Sequence, residues 1–355
     1  MGQLKKRIVM VAAAGVLAVT SLAGCSRTLN NDAVVATVGE DEVKLGVANF
    51  YARMQQAQME TYYGSMLGGG DQMWTQEIEE GKTYEQSTKS NVIKSLENMY
   101  LLKQHAGDYD VELTDKEKKA IDKAADKFLE DNTLEGKDAV SGTKKVVKEY
   151  LTLATIQQKM DAPLKAGVDE EVSDEDAAQK SMQYVLFAYT KQDESGQSAD
   201  MTDDEKAAQK TAAQDFAEKL KNSEDKNLET AAKAAGAEVQ TATFDGESTS
   251  PNADLVKAAD ALENEGDVTD AVETDNGIYI AKVTSFLDRE ATDIKKQSIV
   301  ETRKQDQYDA TIKKWRKATD IKVKKNVWKK VSFAKQGVTI KQSEDTTGSD
   351  ADSGE

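Results

Sequence analysis

"LVKAADALENEGDVTDAVETDNGIYIAKV", Leu255 to Val283, decides the fold of most of the second half of this 355-residue chain. The run reads as a helix, an acidic loop, a turn and a strand that starts at Gly277-Ile278-Tyr279-Ile280 and ends near Phe286. Upstream, "MQYVLF" (Met182 to Phe187) sits in an apolar run too short for a typical helix and bounded by polar residues, which predicts a strand. Between them lie the Ala-rich helix "MTDDEKAAQKTAAQDFAEKLKN" and "NLETAAKAAGAEVQTATF", a shorter helix with a glycine stop and a strand. Strand-helix-helix-strand-helix-strand predicts a small α+β domain over residues 171–290.

Outward from that domain the pattern is helical. Val34, Val35 and Val38 predict a short strand, Gly39-Glu40-Asp41 a tight turn, and Glu42 to Leu45 a return strand. A helix follows from about Gly46 with Val47, Phe50, Tyr51, Met54 and Ala57 on one face. Further helices are predicted over Thr83 to His105, Thr114 to Asn132, with a capping-box start at Thr114-Asp115-Lys116-Glu117, and Gly142 to Ala162. After the α+β domain, one long helix is predicted over 293–319, and "IKVKKNVWKKVSF" reads as strand-like. The predicted fold class is therefore α+β, mostly helical. Residues 25–170 and 291–335 would build one helical lobe around the inserted domain, and 336–355 would be a disordered acidic tail.

The formal charge of −17 argues against a nucleic-acid partner for the chain as a whole. Residues 288–335 run the other way, with 15 Lys/Arg against 7 Asp/Glu, a local +8 that reads chiefly as a solvated helix face balancing the acidic lobe. One His and one Cys exclude a Cys/His zinc site and an intrachain disulfide, and make a Ser-His-Asp triad improbable. No metal or cofactor is expected. Trp315 and Trp328 read as packing anchors, and His105 as a surface or partly buried residue.

The single cysteine, Cys25, closes an N-terminal segment with a targeting signature. Lys5, Lys6 and Arg7 precede "IVMVAAAGVLAVTSLAG", which is short for a membrane span of about 20 apolar residues. That is the length of a secretory leader. Leu22-Ala23-Gly24-Cys25 resembles the lipobox of bacterial lipoproteins. This resemblance implies lipidation of Cys25, removal of residues 1–24, and a body tethered on the outer face of the cell membrane.

From Leu255 to Val283 the order of helix, Leu, glycine turn, Val-x-Thr step and Gly-x-Tyr-Ile strand resembles the C-terminal half of parvulin-type peptidyl-prolyl isomerases, and "MQYVLF" resembles their first strand. With the leader, the helical lobe and the returning helix, the layout resembles that of secreted foldase lipoproteins. The resemblance puts the two signature histidines of active parvulins at Tyr184 and Tyr279, and the groove phenylalanine at Leu255, with a second at Asp260. "TFDGESTSPN" stands where the family's glycine-rich loop would be. With both histidines replaced by tyrosine, the resemblance assigns no catalytic group among these groove residues.

The resemblance thus implies a membrane-anchored foldase or chaperone, with or without isomerase activity, whose partners are unfolded or newly translocated secreted proteins. A homodimer is compatible with it. The Met- and aromatic-rich segment adds client-binding candidates, Tyr62, Tyr63, Met66, Met73 and Trp74, because flexible Met side chains adapt to varied apolar partners. The rival readings are a solute-binding lipoprotein, which should show two α/β lobes, and a structural surface lipoprotein.

Overall fold

The computed structural model describes residues 16–21, 29–64, 66, 70–192 and 195–341, and it divides into two compact units. Unit 2 is the contiguous stretch Val168–Arg303, and unit 1 combines the chain up to Gly167 with the chain from Lys304 onward.

The first part of unit 1 runs β1 (Leu17–Ser21), β2 (Val34–Val38), β3 (Asp41–Lys44), α1 (Leu45–Tyr63), α2 (Gly70–Thr75), β4 (Glu77–Glu79), β5 (Lys82–Thr83), α3 (Tyr84–His105), α4 (Asp115–Asp131), α5 (Leu134–Ala139) and α6 (Lys144–Lys165). Unit 2 supplies α7 (Asp174–Ala177), β6 (Lys180–Ala188), β7 (Thr190–Gln192), β8 (Ser198–Asp200), α8 (Asp203–Asn222), α9 (Leu228–Ala235), β9 (Gln240–Phe244), α10 (Ala253–Asp260), β10 (Val272–Thr274) and β11 (Gly277–Ser285). The long α11 (Arg289–Ala318) carries the chain across the division at 303/304, and β12 (Ile321–Val323), α12 (Lys325–Trp328) and β13 (Gln336–Ile340) complete unit 1.

Unit 1 is helical around one core. The capping boxes Thr83/Gln86 and Thr114/Glu117 start α3 and α4, each satisfying orphan amides of the first turn. Leu45, Leu96, Leu101, Leu102, Leu153 and Met160 are fully buried, and the ring of Phe50 meets Phe128 edge-on at 5.2 Å. A small antiparallel sheet, β12-β2-β3, joins the two ends of the chain, with Val38 opposite Ile321. His105 stacks on Trp315 at 4.1 Å, and Trp315 and Trp328 are both buried.

A polar stripe runs along α1. Arg53, Gln56 and Glu60 recur at three- and four-residue spacing, so they share one helix face. All three are buried, and they bind the C-terminal segment. Arg53 donates to the carbonyls of Gln336 (2.9 Å) and Ser332 (3.1 Å), and Gln56 donates to Gln336 (2.7 Å). Glu60 accepts from the Val338 amide (2.8 Å) and from Trp74 Nε1 (2.7 Å). Thr61 Oγ1 accepts from the Ile340 amide at 2.8 Å. Burial lowers the Arg53 pKa to about 10, which leaves it cationic at neutral pH, and burial raises that of Glu60.

Two sequence expectations change at the ends of the chain, and a third observation concerns the leader. Residues 336–340, assigned above to a disordered tail, form a strand because α1 side chains satisfy one of its edges; the remainder of that tail lies outside the described residues. "IKVKKNVWKKVSF" is a strand only over Ile321–Val323 and then turns into α12. Residues 17–21, part of the apolar leader, pair antiparallel with β13, Leu17 opposite Ile340.

Unit 2 is built on a four-stranded antiparallel sheet in the order β10-β11-β6-β9. One face carries Val185, Phe187, Ile278 and Ile280, packed with Phe216, Ala217, Leu220, Leu228 and Ala232 of α8 and α9. The other carries Met182, Tyr184, Tyr279, Ala281 and Val283, packed with Leu255, Val256 and Ala259 of α10. Gly277 opens β11 at φ +141°, where a Cβ would lie 2.4 Å from the carbonyl oxygen of Phe187. Only glycine fits that approach.

Candidate functional site

Strand alternation builds the candidate groove. In the β6–β11 ladder Tyr184 lies opposite Ala281, and Leu186 opposite Tyr279, so both tyrosines project from the same face as diagonal neighbours. Their ring centroids are 6.1 Å apart at an angle of 46°. The Tyr184 hydroxyl donates to Oε1 of Gln240 on β9 at 2.5 Å. Burial, and then the neighbouring Tyr279, raise the Tyr184 pKa, so the phenol stays protonated and acts as a donor.

Helix α10 closes this face. Asn252 caps it by accepting from the amides of Asp254 (2.9 Å) and Leu255 (3.1 Å), which aims Leu255 into the sheet. Leu255 is fully buried, and Tyr184 and Tyr279 are 7% and 6% exposed. Asp260, the other position mapped to a groove phenylalanine, instead pairs with Lys180 at 2.9 Å. The structure thus brings Tyr184, Tyr279 and Leu255 together as one packed cluster with Met182, Phe244 and Val283.

The segment standing in for a glycine-rich loop is tied down. Asp245 accepts from Lys295 Nζ (2.8 Å), Gln179 Nε2 (2.8 Å) and Ser248 Oγ (2.9 Å). Those donors, Lys295 foremost, hold its carboxyl well below the ordinary carboxylate range. Prolyl isomerisation needs the proline seated in an apolar groove while the twisted amide is stabilised against a barrier of about 18–20 kcal/mol. The groups at the core of this face are hydrocarbon, thioether and phenol, with no histidine; His105 belongs to unit 1.

The client-binding candidates of unit 1 divide. Tyr62, Tyr63 and Met66 are exposed, Met66 at 78%. Met73 and Trp74 are fully buried, which corrects the expectation that they present an apolar surface. Trp74 stacks on Tyr84 at 5.1 Å and meets Phe333 edge-on at 4.7 Å, so it anchors the C-terminal segment. Exposed Ile78 on β4 went unnoticed in the sequence because its strand is three residues long. The Arg53-Gln56-Glu60 stripe was also missed; its only signal is polar residues at helical spacing beside an apolar face. Cys25 lies outside the described residues. Among the described residues no helix is long and apolar enough to cross a membrane, and no acidic, His or Cys cluster could hold a metal ion.

Among known protein families, the rotamase, PPIC-type PPIase domain matches residues 185–285. No curated protein matches the chain. The foldase protein PrsA from Lactococcus lactis is 13% identical, with 83% of this chain and 96% of that chain covered, at a TM-score of 0.34. PrsA from Streptococcus pneumoniae is 21% identical, covering 74% and 99%, at 0.29. The peptidylprolyl isomerase PrsA from Bacillus cereus is 22% identical, covering 70% and 92%, also at 0.29. With superpositions this loose, the family match over 185–285 and the sheet it falls on carry the assignment: the chain bears a parvulin-type domain of the PPIC rotamase family.

Proposed function

We propose that the protein is a foldase of the parvulin type that acts as a chaperone on unfolded secreted chains outside the cytoplasmic membrane, tethered through a lipidated Cys25. The observation that carries the proposal is a PPIC-type domain inserted as one contiguous unit into a helical unit made from both ends of the chain. The leader-like basic and apolar start and the lipobox-like Leu22-Ala23-Gly24-Cys25 support the address. The mostly helical unit 1 argues against a two-lobed solute-binding protein.

Within this reading the α10 face of the sheet stabilises the domain rather than turning over proline bonds, since its tyrosines pack with Leu255 in one buried cluster. The experiment pairs two assays on the processed protein in detergent. One follows aggregation of a chemically unfolded client, and the other the cis-to-trans relaxation of a proline tetrapeptide. The expected result is suppressed aggregation with isomerisation at the uncatalysed rate. Unaltered aggregation would overturn the chaperone reading. Fast isomerisation that disappears in the Tyr184→Phe, Tyr279→Phe double variant would overturn the structural role given to the tyrosines.

A further inference from the structure

Strand β13 has two edges, and they are satisfied from different sources. On one, the amides of Val338 and Ile340 are held by Glu60 and Thr61 of α1. Antiparallel alternation turns the amides of Gly337, Thr339 and Lys341 the other way, toward β1, and Lys341 N donates to Val16 O at 2.7 Å. Among the described residues that second edge is covered by residues 16–21.

The covering segment, Leu-Ala-Val-Thr-Ser, is uncharged and pairs with β13 through its main chain. The amide of Leu17 donates to Oδ1 of buried Asn132 at 2.8 Å. Asn132 is itself oriented by donating from Nδ2 to the Phe128 carbonyl at 2.9 Å. The Leu17 side chain is 2% exposed and joins the core, passing Gly136, where an added Cβ would stand 3.9 Å from Leu17 Cβ. The result is a five-residue slot with a backbone ladder along one wall, an amide oxygen at one end and a single aliphatic socket.

The occupant comes from the very segment that the proposed processing before Cys25 removes. Its departure would strip hydrogen-bond partners from Gly337, Thr339, Lys341 and Asn132 and empty the Leu17 socket. An edge of unpaired strand groups is a ready template for another extended chain. We infer that in the processed protein this slot binds an extended, uncharged segment of an unfolded polypeptide by strand addition to β13, with one aliphatic residue in the Leu17 socket. Recognition through the main chain tolerates many sequences, and the single socket sets a weak preference. The inference rests on removal of the leader, and α1 keeps β13 in place when β1 is gone.

The test is deuterium exchange at single-amide resolution on the processed protein, purified from membranes in detergent, with its mass measured first. The probes are a synthetic peptide of residues 15–23 (GVLAVTSLA), the same peptide with aspartate at the leucine corresponding to Leu17, and reduced carboxymethylated lactalbumin. Without probe, Val338 and Ile340 should be protected while Gly337, Thr339 and Lys341 exchange freely. The first peptide and the unfolded protein should slow the latter three at least about tenfold, and the aspartate peptide should not. Thr339→Pro, which removes the central slot-facing amide, should abolish the effect while Val338 and Ile340 stay protected.

A mass that retains residues 17–21 overturns the leader reading and the inference with it. A correct mass with no probe-dependent slowing overturns the inference alone and leaves the foldase reading intact. Protection that rises with protein concentration in the absence of probe assigns the edge to a second copy, and also overturns it.

Discussion

Replacing Glu60 with leucine tests whether the α1 stripe is what folds the C-terminal strand onto unit 1. Glu60 accepts from Trp74 Nε1 at 2.7 Å and from the Val338 amide at 2.8 Å. Leucine has similar bulk and no acceptor, so Trp74 Nε1 and the Val338 amide lose their partner at about 1–3 kcal/mol each, or about 2–6 kcal/mol together. Gln56 Nε2, which also donates to Glu60, keeps its carbonyl acceptors. Relief of the buried carboxylate's desolvation returns part of this, and about 2–4 kcal/mol is expected net. Glu60→Gln keeps one acceptor oxygen and should cost less, about 1–2 kcal/mol. The readout is convenient because all three tryptophans, Trp74, Trp315 and Trp328, belong to unit 1. Urea unfolding followed by tryptophan fluorescence therefore reports that unit. The pH dependence carries its own sign. Burial raises the Glu60 pKa, so the folded unit holds this proton more tightly than the unfolded chain does. Its contribution is full below the unfolded value near 4.5 and is lost as pH rises through the raised folded value. Glu60→Gln should remove that loss. Glu60→Leu within 0.5 kcal/mol of the native protein, an ordinary surface-substitution effect, would refute the reasoning. So would Glu60→Gln as costly as Glu60→Leu.

In unit 2, Asp245→Ala should cost about 1.5–3 kcal/mol through its lost charge-assisted hydrogen bonds, read as reduced amide protection in β6 and β9. Because the Asp245 pKa is depressed, its stabilisation is present above the unfolded value of 3.8 and is lost as pH falls through the folded value; acid titration of amide protection should lose that component in the variant. Gly277→Ala forces a Cβ against the Phe187 carbonyl at φ +141°, and about 2–4 kcal/mol of destabilisation is expected in far-ultraviolet denaturation curves. Tyr184→Phe removes only the bond to Gln240, so about 0.5–1.5 kcal/mol should be lost, with no change in aggregation suppression.

Much of this architecture is legible in the sequence because it is local. Short apolar runs bounded by polar residues mark the strands that carry Tyr184 and Tyr279, and helical spacing from Val47 to Ala57 marks the buried face of α1. What stayed hidden depends on partners far along the chain. "QGVTI" is too short and polar to announce a strand, and becomes one because Arg53, Gln56 and Glu60 wait for it some 280 positions earlier. Trp74 looks like a surface aromatic after a run of glycines until Phe333 and Tyr84 enclose it. In the groove, the shared face of Tyr184 and Tyr279 depends on the β6–β11 register, and the filling of that face by Leu255 on the packing of helix on sheet, neither of which is a local property of the sequence.

The division of the chain also sets an order of assembly. Synthesis delivers residues from the N-terminus, so every residue of Val168–Arg303 is available before Ile321–Val323 can pair with β2 or Gln336–Ile340 can meet α1. The inserted unit can close on itself while the unit that encloses it in sequence still lacks its last strands. A chain released early, at about residue 320, would therefore carry a finished sheet domain and an open helical core, the kind of exposed apolar surface that quality control removes.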